Sequence, residues 1–355
     1  MLLTDLRIET LPDLLMMSRL YKVSAALNAA AKLDIFTVLS HYPEGATLQQ
    51  LSEEVGLCRE PRFRGGMDLL DLLVSVACLE RSGEGSETRY RNAPVAEQYL
   101  VRGRPQYAGG ILCLNSDRSF PMFGYLTHAL QHGEMPPEAF QRVPDIHTTF
   151  GSDVAAAEFF AEGMTGASLG NFTMLADRFP FTRFTSLGDL GGSVGCLACC
   201  VAARHPHMAA VTYDLPAVHG AAERYVRKQG CEGKVQVRDY DFFSPDPVPG
   251  RHDVLTYGMV LHDWGIDKKM LLMRKAFNAL PPGGALIAID HLVDDERRHS
   301  AVQLGMSLTM LLEFGRENAF DYTFKDFRDW ALQVGFAYVE LIELAGTTKA
   351  AVAYK

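Results

Sequence analysis

The run Thr185-Ser186-Leu187-Gly188-Asp189-Leu190-Gly191-Gly192-Ser193-Val194-Gly195-Cys196 places an acid just ahead of closely spaced glycines. It reads as a short strand, a tight turn and the opening of a helix. Free N–H groups at such a helix start face a bound ligand, and the absent Cβ atoms let that ligand approach the main chain. Spacing excludes two common ligands. The nicotinamide fingerprint needs Gly at its first, third and sixth positions, but counted from Gly191 these last two are Ser193 and Cys196. No Lys-Ser or Lys-Thr pair follows to make a phosphate loop.

Further strand ends carry chemistry of their own. Ala209-Ala210-Val211-Thr212-Tyr213-Asp214-Leu215-Pro216 ends a second strand in an acid. In a doubly wound sheet Asp214 then lies beside the first turn, where a carboxylate can accept both hydroxyls of a ribose. A third strand runs from Val235 into Asp241-Phe242-Phe243, suited to hydrogen-bond an adenine amino group and cover its ring. A fourth, from Val254, runs into His262-Asp263-Trp264. An imidazole at a strand's C-terminal end is placed to take a proton from a phenol, whose pKa of about 10 leaves little phenolate at neutral pH.

In order, Asp-Leu-Gly-Gly, Tyr-Asp-Leu-Pro, Asp-Phe-Phe, Leu-His-Asp-Trp and Pro-Gly-Gly run from Asp189 to Gly284. The turn resembles motif I of class I S-adenosylmethionine (SAM) methyltransferases. The whole series resembles the small-molecule O-methyltransferases of the plant caffeate type and their bacterial and animal relatives, including hydroxyindole O-methyltransferase. The resemblance implies an α/β fold with a Rossmann-like, doubly wound mixed sheet, preceded by a mostly helical, winged-helix-like dimerisation domain. It implies SAM as cofactor, surrounded by Asp189, Gly191, Gly192, Asp214, Leu215, Asp241, Phe242 and Trp264. By the same resemblance His262 is the base and Asp290 its first acid, where relatives more often carry Glu.

The second acid is Glu317 if Gly315-Arg316-Glu317 matches the family's Gly-x-Glu-Arg motif. Asn318 replaces the expected Arg, and the distance from Glu317 to Val334-Gly335-Phe336 exceeds the family's usual spacing. Asp321 is therefore a rival. The resemblance further implies that a helix ahead of the SAM domain walls the acceptor pocket; on that helix we expect Phe160 and Met164 to form the wall, and on a later helix, Ala301 to Phe314, we expect Met306 and Met310 to face the acceptor. One branch of relatives holds iron with His-Asp and a second His, but Arg316 stands where that His is expected. We therefore expect no metal.

The chain's 355 residues, 48% hydrophobic, suffice for two domains. The expected boundaries are 1–105 for dimerisation, 106–180 for a linker contributing to the acceptor pocket, and 181–355 for SAM binding and catalysis. Residues 14–39 read as one long helix. A capped helix follows at Thr47–Gly56, then a third from Phe63 to Leu79, then a hairpin turning at Gly83-Glu84-Gly85. This wing-like layout raises the alternative of a regulator that senses SAM. Its third helix is apolar and acidic where a major-groove reader needs Arg, Asn or Gln, and a net charge of −9 disfavours nucleic acid.

The long Ala-rich first helix suits a homodimer interface. No apolar run reaches the length of a membrane span and the first residues lack a signal-peptide pattern, so the expected location is the cytoplasm. Seven scattered cysteines argue against a disulfide framework, and Cys196, Cys199 and Cys200 read as small packing residues of the helix after the turn. The expected reaction is methyl transfer from SAM to a hydroxyl of a small aromatic or polyketide-like acceptor. Methylation of carbon on an activated phenol ring or keto acid is the alternative.

Overall fold

The computed structural model describes residues 7–60, 62–104, 106–143 and 154–355. The chain divides into two units, Leu6–Phe120 with Glu162–Ala167, and Pro121–Ala161 with Ser168–Lys355. Residues 106–180 thus contribute to both.

In the first unit, the stretch that reads as one helix over 14–39 forms three, Leu11–Met17, Tyr21–Lys32 and Ile35–Ser40. The last break is at Asp34, whose φ of 58° is left-handed. Asp tolerates that conformation better than most residues, and its carboxylate accepts the Thr37 hydroxyl at 2.7 Å. Thr47 and Gln50 close a reciprocal cap on the helix Leu48–Val55, which Gly56 ends at φ 71°. Strands β1 (Ala46–Thr47), β2 (Leu79–Ser82) and β3 (Arg89–Asn92) form an antiparallel sheet in the order β1-β3-β2. β2 and β3 are the expected hairpin. Ile35, Phe36, Leu39, Leu51, Leu70 and Leu79 fill the core beneath it.

The second unit is built on seven strands: β4 (Ser186–Leu190), β5 (Ala209–Asp214), β6 (Val235–Asp239), β7 (Val254–Gly258), β8 (Ala285–Asp290), β9 (Tyr338–Glu343) and β10 (Lys349–Tyr354). Their order is β6-β5-β4-β7-β8-β10-β9, with β4 to β8 parallel and β10 antiparallel to both its neighbours. Every residue of β8 is buried, which explains its unbroken apolar run before Asp290. Winding reverses direction at β4. The crevice at the C-terminal ends of β4 and β7 is therefore where a doubly wound sheet holds a ligand.

The helix Cys196–Arg204 buries Cys196, Ala198, Cys199, Val201 and Ala202, small side chains that let it lie close to the sheet. All seven cysteines are free thiols. Within the expected linker, residues 109–123 are continuously helical, with the middle, Asn115–Ser119, widened to a π turn, and the short helices Leu126–His132 and Pro137–Arg142 follow. Helices of one or two turns are too short to display a hydrophobic period. The long helix Val154–Arg178 precedes β4. No described helix is long and apolar enough to cross a membrane.

Candidate active site

The turn after β4 is held by the neighbouring strand. The Gly191 and Gly192 N–H groups both donate to the Tyr213 carbonyl, at 2.8 and 3.1 Å. Gly191, Ser193 and Gly195 all have left-handed φ, at 70°, 51° and 82°. At Gly192 the constraint is space, since a Cβ would fall 2.3 Å from Thr212 Oγ1 and 2.5 Å from Asp189 Oδ2. Asp189 lies beneath the turn, 1% exposed. Its Oδ1 accepts the Thr256 hydroxyl at 2.6 Å, and burial pushes its pKa up to about 7. Its Oδ2 has no hydrogen-bond partner among the described residues.

Asp214 binds the turn to the next helix. One carboxylate oxygen accepts the Ser193 N–H and the other the Leu215 N–H, each at 2.7 Å. Each oxygen keeps a further lone pair. Leu215, an apolar residue 39% exposed, stands beside it. Just beyond β6 Asp241 accepts the Phe243 N–H at 2.8 Å, and Lys275 fixes that loop by donating to the Phe242 and Ser244 carbonyls. The Phe242 and Trp264 rings meet edge to face, their centroids 6.2 Å apart. A Cβ on Gly191 would reach within 3.1 Å of the Phe242 ring and 2.9 Å of Val260. Glycine keeps this crevice open.

At the end of β7 the chain turns sharply. Met259 takes a left-handed φ of 57°, and its N–H donates to the Ile289 carbonyl at 2.8 Å. A non-glycine residue held this way stores strain, as functional turns often do. The tight turn Leu261–Asp263 then carries His262 inward to 3% exposure. His262 Nδ1 lies 3.0 Å from Asp321 Oδ1, while Nε2 is 3.4 Å from Asp263 Oδ1 and 3.9 Å from Asp290 Oδ1.

The electrostatics follow from that crowding. Burial opposes the imidazolium, but the charges of Asp263, Asp290 and Asp321 outweigh it and raise His262 to about 10. Burial in turn raises Asp263 to about 7 and Asp290 to about 6. Tyr322 donates its hydroxyl to Asp290 Oδ2 at 2.5 Å. Asp290 Oδ1 and Asp321 Oδ2 have no hydrogen-bond partner among the described residues. The cluster therefore has more acceptor capacity than donors.

Of the two rival acids, Glu317 and Asp321, only Asp321 has a contact with His262 among those described. The Glu317 carboxylate pairs with Lys268 and lines a cavity of about 350 Å³ beside Trp264, Phe140, Leu312 and Phe314. Asn318, at a left-handed φ of 54°, turns the chain after the Gly315–Glu317 turn. Asp321 is what then reaches the imidazole, its own N–H donating to Ser307 Oγ at 3.2 Å. The long spacing to Val334-Gly335-Phe336 was the sequence signal for this. Asp263 enters the sequence reading only within His262-Asp263-Trp264, and no sequence signal singles out Tyr322 or Lys269. Among the acceptor residues expected, Phe160 and Met306 pack against Met310, Phe314 and Ala319. Met164 falls in the other unit.

Two family comparisons match this layout. An O-methyltransferase dimerisation domain matches residues 15–102, and an O-methyltransferase domain matches residues 123–337. The chain belongs to the O-methyltransferase family. It is 35% identical to the tetracenomycin polyketide synthesis 8-O-methyl transferase TcmO of Streptomyces glaucescens, over 97% of this chain and 96% of that one. It is 32% identical to the N,N-dimethyltransferase OxyT of Streptomyces rimosus, over 79% and 78%. Among solved structures, human N-acetylserotonin methyltransferase in complex with SAM superposes with a TM-score of 0.88 at 24% identity, covering 98% of each chain.

This O-methyltransferase is a SAM-dependent enzyme with the class I fold. The crevice fits that cofactor on its own chemistry. It offers a carboxylate with spare lone pairs at Asp214, an aromatic wall at Phe242, and a glycine floor whose open space any Cβ at Gly191 would fill.

Proposed function

We propose that this O-methyltransferase methylates a hydroxyl of a small aromatic or polyketide-like acceptor, with His262 as the general base. The observation that carries this reading is a buried imidazole among the carboxylates of Asp263, Asp290 and Asp321, in the turn that follows β7, the strand paired with β4. Asp214 would hold the ribose of SAM, and Asp241 and Phe242 its adenine. Gly191 and Gly192 would let the cofactor approach the main chain, with Asp189, Leu215 and Trp264 completing the site. When bound, SAM supplies an electrophilic methyl group.

The chain's own part is proton management. Asp321 holds Nδ1 and so leaves Nε2 to accept the acceptor's proton. The charges of Asp263, Asp290 and Asp321 raise His262 above the ordinary imidazole range, which makes it a stronger base toward a phenol. The surrounding carboxylates stabilise the imidazolium that forms. Phe160, Met306 and Met310 give an apolar face suited to a flat aromatic ring.

Similarity to a polyketide 8-O-methyl transferase supports the acceptor class. We further infer a homodimer. The helix Leu11–Met17 buries none of its residues and exposes Leu11, Leu14, Leu15 and Met16, within a unit that matches a dimerisation domain. Light scattering on the purified protein should give twice the chain mass.

The deciding experiment incubates the enzyme with SAM and a panel of polycyclic phenols, hydroxynaphthoates and aromatic amines, and locates the added methyl by mass spectrometry and NMR. Methyl ethers of phenols are expected. Methylation only of carbon or of amines would overturn the reading, the latter in favour of chemistry like that named for OxyT.

A further inference from the structure

Lys269 lies in the helix Ile266–Ala279, on the face that also buries Leu272, Met273 and Ala276. It is 0% exposed. Its ammonium donates to the Trp264 carbonyl and, at 3.0 Å, to the Phe320 carbonyl. It stands 3.7 Å from the centroid of the Phe320 ring and 5.5 Å from that of Tyr322. Trp264 closes the segment His262-Asp263-Trp264, and Phe320 opens the segment Phe320-Asp321-Tyr322. One buried cation thus joins the main chains of the two segments whose side chains meet at His262 and Asp321.

Packing alone does not explain a lysine here. A buried ammonium is costly, and Leu or Met would serve the apolar face of this helix as well. What the ammonium adds is a pair of charged hydrogen bonds across the site and a positive charge near an acidic cluster. Burial lowers its own pKa to about 8, against the pull of Asp290, Asp321 and Asp263.

We propose that Lys269 is a positioning residue, fixing the spacing of His262 and Asp321 and offsetting the negative charge of Asp263, Asp290 and Asp321. The titratable groups around it are the His262 imidazole and the carboxylates of Asp263, Asp290 and Asp321, with Tyr322 on Asp290 and the His291 ring 6.4 Å from that of His262. Removing a positive charge makes such a cluster bind protons more tightly, so its titration moves to higher pH.

The test follows the Asp263 and Asp290 carboxyl carbons by NMR in the ¹³C-aspartate enzyme across pH, assigned with Asp263→Asn and Asp290→Asn. In Lys269→Met their titration should rise by about one pH unit, because Lys269 is still charged where they titrate. The turnover number should fall about tenfold while SAM affinity stays unchanged, the range usual for loss of a partner that orients a functional side chain. Lys269→Gln keeps a donor without the charge, should show the same titration shift, and carries the test if the Met variant does not fold. A folded variant whose Asp263 and Asp290 titrate as in the wild type overturns the proposal, whatever its turnover. The activity arm rests on His262 being the base. A shifted titration with unchanged turnover upholds Lys269 and removes that role from His262.

Discussion

His262 Nδ1 meets Asp321 Oδ1 at 3.0 Å inside the protein, while the acid suggested by local motif, Glu317, is turned away to Lys268. With Asp321 0% exposed, the pair is shielded from water and salt. One imidazole nitrogen is thereby committed and the other is left for chemistry.

Asp321→Asn should therefore lower the turnover number by about ten- to a hundredfold, as loss of an orienting partner commonly does. Glu317→Gln should remain within about twofold of the wild type. His262→Ala should cost about a hundredfold or more with SAM affinity nearly intact. Steady-state kinetics on the three variants, with calorimetric titration of SAM, check the ranking. A Glu317 variant slower than the Asp321 variant would reverse the assignment.

The acidic cluster sets a direction for stability against pH. His262 is raised from 6.5 to about 10, so its stabilising contribution is complete below about 6.5 and is lost as pH rises towards 10. Asp263 and Asp290 are raised from 3.8 to about 7 and about 6, so the cost of burying their ionised forms is absent below about 4 and complete above about 7. Both trends lower stability as pH rises. Scanning calorimetry should show Tm falling between pH 7 and 10, and His262→Ala should flatten that fall. Turnover should rise over the same range, because only the neutral imidazole can accept a proton.

Asp214→Ala should weaken SAM binding by about 1.5–3 kcal/mol, the scale of a lost charged hydrogen bond. Asp214→Asn, which can still accept one of the N–H bonds from Ser193 and Leu215, separates loss of the ligand contact from loosening of the turn. Calorimetric titration with SAM and S-adenosylhomocysteine reads both. Unchanged affinity in the Ala variant would take Asp214 out of the site.

Gly192→Ala has no room for its methyl group, which would lie 2.3 Å from Thr212 Oγ1 and 2.5 Å from Asp189 Oδ2. Overpacking of this kind costs about 1–3 kcal/mol, and here it falls on the turn itself. The variant should melt several degrees lower and bind SAM weakly. Wild-type melting and binding would mean that the turn relaxes freely.

The sheet and its ligand-facing ends were legible because each strand ends in a residue type that local rules interpret. Asp214, Asp241, His262 and Asp290 all lie at or just beyond the C-terminal ends of parallel strands. Asp321 was harder, because its approach to His262 depends on the left-handed turn at Asn318, 56 residues further along the chain. Lys269 was hidden for a different reason. A lysine beside Lys268 reads as solvated, and only the helical phase it shares with Leu272, Met273 and Ala276 marks it as buried. The breaks at Asp34 and among the short helices before residue 143 escape any reading by periodicity.

β4 and β7 are neighbours in one hydrogen-bonded ladder, with Leu187 paired to Val254 and Asp189 to Thr256. The glycine turn and the histidine loop are thus two outgrowths of a single rigid frame. Phe160, Met306 and Met310 stand on helices outside that ladder. On the proposed assignment, substitutions on those helices reshape what the enzyme accepts while the relation between the glycine turn and His262 is carried forward intact. Such a division lets one lineage diversify its products without relearning its reaction.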